Sequence, residues 1–268
     1  MSKPRTGFLP APGMNYEDAF AYADSFGLDF VEIYAEGEPW RSGTLSDTDD
    51  VNALLEDHDL ELMAHLPFPL DLGSPMPSVR QGALDALDDY LSTLAAMNAE
   101  KAVLHLNATS QRAANFSDEE TREILIESAS VASDLGGVYG IEVCAENLPG
   151  SVFTMRDFEV LFDQTEISMT LDTGHAILSE WTETEVASFI QEHERRISHV
   201  HLNDNRANHP KWRSDDEHLP FGAGTIDFEA LLAPAINGDW RPTLSMEIVT
   251  WDRDYIEMSV SQLDDVVE

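Results

Sequence analysis

Short runs of strand-forming residues alternate with amphipathic helical stretches along almost the whole chain. The strand candidates are GFLP (7–10), FVEIYA (30–35), ELMAHL (61–66), KAVLHLN (101–107), YGIEVCAEN (139–147), ISMTLD (167–172), ISHVHLN (197–203) and TLSMEIV (243–249). Capping boxes at Ser117 with Glu120 and at Thr182 with Glu185 mark two helix starts between them. Eight β-then-α units are typical of a parallel (β/α)8 barrel, the TIM barrel.

The alternative α/β arrangement is a doubly wound open sheet. It is disfavoured because no glycine-rich phosphate-binding turn follows the first strand run. The length of 268 residues fits one large domain, and the chain contains no internal repeat or linker-like tract. We therefore predict a single TIM-barrel domain over residues 1–268, with its site at the carboxyl ends of the strands.

Five histidines and four acidic residues lie at the ends of these strand runs or in the loop before the last one. They are His65, His105, Glu146, Asp172, His175, His201, Asp216, His218 and Glu247. A lone histidine at a strand end is usually structural, but buried carboxylates that converge on one barrel mouth need cations. The set contains nitrogen and oxygen donors without sulfur, which favours zinc or manganese. Nine donors are too many for one ion.

Local spacing supports this interpretation at two places. Asp172 and His175 are three residues apart where a strand turns toward its helix, so both can face the cavity. Asp216 and His218 alternate in DEH, and an extended backbone there would direct both side chains to the same side. His199 shares a strand face with His201 but does not lie at the strand end, so we interpret it as structural.

The charge balance is strongly acidic. The chain has 51 acidic and 15 basic residues, a formal net charge of −36 at pH 7, and its lysines are Lys3, Lys101 and Lys211. This favours a protein from a salt-rich cytoplasm over an ordinary acidic protein without polyanionic partners. In molar salt the Debye length is only about 3 Å, so the charge alone does not exclude a nucleic-acid substrate.

Other features of the composition limit the cellular context. A single cysteine, Cys144, excludes an internal disulfide and suits a reducing compartment. The apolar stretches are too short to span a bilayer, and the first residues lack a signal-peptide core. We therefore expect a cytoplasmic protein with no membrane partner.

Seven motifs together resemble the endonuclease IV type of apurinic/apyrimidinic endonuclease, within a superfamily of xylose-isomerase-like barrels. They are HLPFPLDLGS, LHLNA, AENLPG, LDTGHA, HLND, DEHLPFGAG and SMEIV, and the resemblance runs from roughly residue 30 to 250. The resemblance implies three zinc ions. Their ligand sets would be His65, His105 and Glu146; Glu146, Asp172, His201 and Glu247; and His175, Asp216 and His218.

The resemblance leaves two enzymatic hypotheses, besides a barrel that binds metal without catalysis. The favoured one is metal-dependent phosphoester hydrolysis, with abasic-site DNA as the substrate that endonuclease IV implies. The alternative is isomerisation or epimerisation of a sugar or sugar phosphate by one metal at Glu146, Asp172, His201 and Glu247. There Glu146 and Glu247 would be the catalytic acid/base pair.

Candidate substrate contacts come from loops that follow the strands. The loop 205–214 carries Arg206, Lys211 and Arg213 without an acid, and we interpret this basic rim as a phosphate contact. Trp212 in that loop and Trp40 after the second strand are candidates for stacking on a base or sugar. The resemblance adds Phe68, which stands where the endonuclease family tends to carry a DNA-contacting tyrosine.

Overall fold

A computed structural model of the chain describes residues 3–35, 48–109, 116–207 and 216–267, without the side chains of residues 233–237. Eight parallel strands form a closed barrel in chain order, β1 to β8. This confirms the predicted TIM barrel and excludes the doubly wound open sheet.

Each strand run predicted from the sequence overlaps a strand, and most strands end earlier than predicted. The first strand also begins two residues before its predicted run. The strands are β1 Arg5–Phe8, β2 Phe30–Tyr34, β3 Glu61–His65, β4 Lys101–His105, β5 Glu142–Glu146, β6 Ser168–Asp172, β7 Ile197–Leu202 and β8 Thr243–Met246. Four of the predicted metal ligands, His65, His105, Glu146 and Asp172, are the last residues of their strands. The backbone therefore presents them at the carboxyl end of the barrel.

Helices follow the strands, as the amphipathic patterns predict. The described helices are α1 Tyr16–Ser25, α2 Thr48–His58, α3 Pro77–Ala96, α4 Asp118–Tyr139, α5 Phe158–Gln164, α6 Thr173–Leu178, α7 Glu183–His193, α8 Phe228–Asn237 and α9 Arg253–Val267. Both predicted capping boxes are present, at Ser117 for α4 and at Thr182 for α7. Helix α4 ends at Gly140, whose φ of 74° places it in the left-handed region that favours glycine.

The chain divides into two compact units. The first unit comprises Met1–Glu32, Leu54–Glu61 and Thr170–Glu268, and the second comprises Ile33–Ala53 and Leu62–Met169. In the first unit β1 pairs with β2 and with β8, and β7 also pairs with β8. In the second unit β4 pairs with β3 and with β5. The prediction of a single domain stays a prediction.

The strands are apolar because parallel barrel strands are covered on both faces. All five residues of β4 are buried, and so are the last four of β3 and of β5. A polar side chain in such a strand costs free energy unless a partner satisfies it. The acids and histidines that interrupt these runs therefore need partners, and those partners define the site.

Two further predictions from composition can be compared with the structure. Cys144 is a buried free thiol. None of the described helices has both the length and the apolar character that crossing a membrane requires.

Candidate metal centre

The first donor cluster lies in the second unit, where β3, β4 and β5 end. Strand register pairs His105 with Glu146, and Nε2 of His105 lies 2.6 Å from Oε2 of Glu146. Nε2 of His65 lies 3.6 Å from the same oxygen. Nδ1 of His65 donates a hydrogen bond to the carbonyl of Leu66 at 3.0 Å, so its Nε2 keeps the lone pair that a metal needs. The structure thus brings His65, His105 and Glu146 together, as predicted.

The second donor cluster lies in the first unit and joins helix α6 to the loop before β8. Nε2 of His175 lies 2.9 Å from Oδ2 of Asp216, and Nε2 of His218 lies 3.1 Å from Oδ1 of Asp216. The backbone N–H of His175 donates to Oδ1 of Asp172 at 2.6 Å, and Asp172 is thereby the N-cap of α6. This hydrogen bond positions His175. These three predicted ligands are therefore also gathered.

The backbone at His218 differs from the prediction. The alternation in DEH predicted an extended chain, but the φ of His218 is +43°, in the left-handed region. The side chain reaches Asp216 because the chain turns here, and the carbonyl of His218 accepts a hydrogen bond from the N–H of Val249 at 2.9 Å. A non-glycine residue in this conformation at a cluster of polar groups is typical of a functional site.

A third group of donors in the first unit lies at the carboxyl ends of strands β6, β7 and β8. Asp172 and His201 are fully buried and Glu247 is nearly so. One donor atom of each lies within 4.8 Å of the others, and Nδ1 of His201 is 3.0 Å from Oε2 of Glu247. Nδ2 of Asn203 donates to Oδ2 of Asp172 at 2.7 Å. A β-carbon at Gly174 would lie 1.9 Å from Oδ1 of Asn203, so the glycine of the LDTGH motif makes this support sterically feasible.

Sequence reasoning missed one buried carboxylate beside this group, Glu32 on β2. It interrupts the apolar run FVEIY in the same way that Glu146 and Glu247 interrupt theirs, and that signal identifies all three. Its oxygens face Nε2 of His201 at 3.1 Å and Nε2 of His199 at 3.2 Å. Burial by itself would raise the pKa of Glu32, but the charges and hydrogen bonds of the two imidazoles hold that pKa well below its usual range.

The loop that carries Asp216 and His218 is fixed by Asp204, just after β7. Its carboxylate accepts backbone N–H groups of Asn205 and Ile226 on one oxygen and of Gly222 and Gly224 on the other, at 2.8–3.0 Å. Asp204 also forms an antiparallel bridge to Leu219. One buried carboxylate thereby positions the loop that supplies two candidate ligands.

The electrostatics of the three clusters suit a divalent cation. Burial lowers the pKa of His218, but Glu247, Asp216 and Asp172 outweigh that effect and raise it to about 10. The pKa of Asp216 is lowered despite its burial, because His175 and His218 donate hydrogen bonds to it. Surroundings that stabilise a proton on an imidazole also stabilise a metal ion, and the N/O donor set fits zinc or manganese. Which metal binds stays a prediction.

The predicted substrate contacts are only partly described. Phe68 is 53% exposed, and its ring meets that of His105 edge-on at 5.1 Å between centroids. Arg206 pairs with Glu217, with its Nε 3.1 Å from Oε1, so the acid that follows the basic loop engages this guanidinium. Trp40, Lys211, Trp212 and Arg213 lie outside the described residues. All six substrate contacts stay predictions.

Several known proteins are similar to this chain. The protein MJ1614 of Methanocaldococcus jannaschii is 28% identical over 191 residues, which cover 69% of this chain and 70% of MJ1614. A D-tagatose 3-epimerase-like protein superposes with a TM-score of 0.82 at 22% identity, covering 98% of this chain and 97% of that one. D-allulose 3-epimerase from Methylomonas sp., in complex with D-allulose, superposes with a TM-score of 0.77 at 16% identity, covering 100% and 98%.

At these identities the structural likeness shows a shared fold and does not transfer an activity. The endonuclease IV branch that the motifs predicted is not confirmed. The wider superfamily is confirmed, because the model of the xylose isomerase-like TIM barrel family matches residues 20–260. The chain belongs to the xylose isomerase-like TIM barrel family.

Proposed function

We propose that this protein is a metal-dependent isomerase or epimerase of a sugar or sugar phosphate. The observation that carries the proposal is the buried group of Asp172, His201 and Glu247 at the ends of β6 to β8. We propose that Glu146, at the end of β5, is the fourth ligand, since the carboxyl ends of all barrel strands face the same end. The resemblance seen in the sequence implies this same set of four for the sugar-converting branch of the superfamily.

The chemistry assigned to these residues is proton transfer. These residues would hold a divalent cation, which would supply polarisation of the substrate carbonyl and so make the adjacent C–H more acidic. Glu146 and Glu247 are the candidate acid/base pair. One of them, ionised, removes the proton from that carbon, and the other, protonated, returns a proton. Return to the opposite face inverts the carbon. Return to the neighbouring carbon, together with transfer of the hydroxyl proton to the former carbonyl oxygen, interconverts aldose and ketose.

Two findings reverse the order in which the sequence ranked the hypotheses. Solved structures that superpose on this chain include a D-allulose 3-epimerase with its sugar, which supports a sugar substrate. The Arg206 guanidinium of the proposed phosphate rim is paired with Glu217, which weakens the case for a phosphate contact there. Abasic DNA therefore lacks support from the described residues.

Phosphoester hydrolysis remains the second candidate, because one specific observation favours it. The clusters of His65 with His105 and of His175, Asp216 and His218 supply more donors than one ion uses. Several ions bound there would activate a water for attack on phosphorus and neutralise the phosphate. A sugar isomerase or epimerase does not require such a centre.

An assay of sugar conversion tests the proposal. Protein loaded with Mn2+, Co2+ or Zn2+ is incubated with D-allulose, D-fructose and D-tagatose, and products are resolved by chromatography. We expect metal-dependent conversion that EDTA abolishes and that falls at least about 100-fold in Glu247→Gln. The matched control is Glu257→Gln, which changes an exposed residue of α9 and should retain full activity. Activity that is unaffected by Glu247→Gln would contradict the proposal.

A further inference from the structure

Glu32 is a fully buried polar group in the first unit whose role the proposed chemistry leaves open. It lies in the middle of β2, and its carboxylate contacts two imidazoles from the same strand, β7. Nε2 of His201 lies 3.1 Å from Oε1 and 3.2 Å from Oε2 of Glu32. Nε2 of His199 lies 3.2 Å from Oε2. One carboxylate therefore holds both imidazoles of the HVH sequence.

These contacts determine where the protons lie. An ionised carboxylate accepts hydrogen bonds and donates none, so the nitrogen that faces it carries the N–H. Nε2 of His201 is then the donor to Glu32, and in a neutral imidazole Nδ1 keeps the lone pair. Nδ1 of His201 is the atom that lies 3.0 Å from Oε2 of Glu247, within the donor group of Asp172 and Glu247.

His199 uses its two nitrogens differently, which explains why it stays out of the donor group. Its Nε2 faces Glu32, while its Nδ1 lies 2.6 Å from Oγ1 of Thr243 on the neighbouring strand β8. Both nitrogens thus have partners inside the barrel wall. His199 supports Glu32 from one side, and His201 extends from the other side to the metal ligands.

We propose that Glu32 is a positioning residue that fixes the Nε2–H tautomer and the ring orientation of His201, so that Nδ1 is its metal-binding atom. The effect on metal binding rests on the proposed function, because the metal site concerned is the one proposed for sugar conversion. A carboxylate behind a metal-bound histidine typically contributes 10–100-fold to metal affinity, so its loss should weaken binding by about that factor.

The donor atoms of Glu32, His199 and His201 are close enough together to hold a separate metal ion. We favour hydrogen bonding, because distances of 3.1–3.2 Å between nitrogen and oxygen are those of direct N–H···O bonds. An additional ion bound by Glu32, His199 and His201 is the outcome that would replace this assignment.

The first test reads the tautomer of the metal-free wild-type protein by 15N NMR of labelled histidine rings. His201→Asn and His199→Gln assign the two ring systems by loss of their signals. We expect a proton on Nε2 of His201, whether the ring of the metal-free protein is neutral or doubly protonated. A ring protonated at Nδ1 alone would overturn the inference. This spectrum needs neither substrate nor bound metal, so a protein without sugar activity leaves its result intact.

The second test measures metal affinity in Glu32→Gln by titration with Co2+ and Zn2+. The amide keeps the shape but replaces one acceptor oxygen with an N–H donor, so we expect affinity about 10–100-fold lower. The control Glu257→Gln should bind as wild type does. Unchanged metal affinity in Glu32→Gln would overturn the inference. So would the loss of one bound metal ion per chain while the remaining sites keep their affinity. If circular dichroism shows that Glu32→Gln does not fold, Glu32→Asp is titrated in its place. If neither variant folds, the tautomer of His201 in the wild-type protein decides the question.

Discussion

Oδ2 of Asp216 lies 2.9 Å from Nε2 of His175, although 41 residues separate the two along the chain. Asp216 also holds His218, so one carboxylate joins a helix to the loop before β8. The proposed sugar chemistry needs no metal at this cluster, whereas the hydrolase alternative does. The cluster therefore separates the two candidate functions.

Replacing His218 with Ala should discriminate between them. Under the proposed function, metal-dependent sugar conversion stays within about threefold of wild type, because the ligands Glu146, Asp172, His201 and Glu247 are intact. The hydrolase alternative instead predicts loss of phosphodiester cleavage together with loss of one bound ion. Both activities and the metal content by elemental analysis are measured, with His58→Ala, outside the clusters, as control. Loss of sugar conversion in this variant would show that the cluster takes part.

The pKa of His218 predicts how the stability of the metal-free protein depends on pH. The pKa of His218 is raised from 6.5 to about 10 in the folded state by Glu247, Asp216 and Asp172. A raised pKa stabilises the fold fully below pH 6.5, and that stabilisation disappears as the pH rises to about 10. Urea unfolding in EDTA should show wild type more stable than His218→Gln at pH 6, with the difference shrinking by pH 9.5. A difference that grows with pH would contradict the assigned charge partners.

Asp204→Asn should loosen the loop that carries Asp216 and His218. The amide leaves one acceptor oxygen for four backbone N–H groups and directs an N–H2 at two of them. Unsatisfied buried donors cost about 1–3 kcal/mol each, so the loss of two acceptor contacts should lower the free energy of unfolding by about 2–6 kcal/mol. Hydrogen exchange of Gly224 and Ile226 should accelerate, while the control Asp264→Asn, an exposed change on α9, should match wild type. Unchanged protection of these amides would refute the role of Asp204.

Ser117→Ala tests the capping box of α4. The Ser117 hydroxyl accepts the N–H of Glu120 at 3.2 Å, and Glu120 accepts the N–H of Ser117 at 3.0 Å. Loss of such a cap costs about 1 kcal/mol. Thr182→Ala removes the equivalent cap of α7 and should cost a similar amount in urea denaturation. A loss below about 0.3 kcal/mol in both variants would mean that these boxes do not stabilise the helices.

The sequence predicted the parts of this protein that depend on local patterns. Alternating strand and helix signals gave the barrel, and polar residues at the ends of apolar runs gave the three donor clusters. Glu32 interrupts an apolar run as Glu146 and Glu247 do, but it was not singled out because it lies in mid-strand, away from the strand ends that carry the predicted ligands. Its partners on β7 show that it belongs beside the donor group. The left-handed backbone of His218 was also missed, since it depends on a contact with Val249 across 31 residues. Tertiary partners of this kind leave no local pattern.

Function was harder to predict than fold for a physical reason. The same donor residues at strand ends serve one-metal sugar chemistry and multi-metal phosphoester chemistry, so the ligand types alone do not choose between them. The residues expected to contact substrate were predicted in connections between strands and helices, which vary more than the strands themselves. Lys211, Trp212 and Arg213 are outside the described part of the chain.

The most direct measurement is incorporation of solvent deuterium into a sugar. Metal-loaded protein is incubated with D-allulose in D2O, and the hydrogen at the carbon next to the carbonyl is followed by NMR and mass spectrometry. If Glu146 and Glu247 exchange that proton, deuterium should enter this carbon with wild type and Glu257→Gln and should not enter with Glu146→Gln or Glu247→Gln. The same exchange is followed with D-fructose, D-tagatose and their phosphates. No incorporation into any of these sugars, in a preparation that binds metal and cleaves a phosphodiester, would contradict the proposed function.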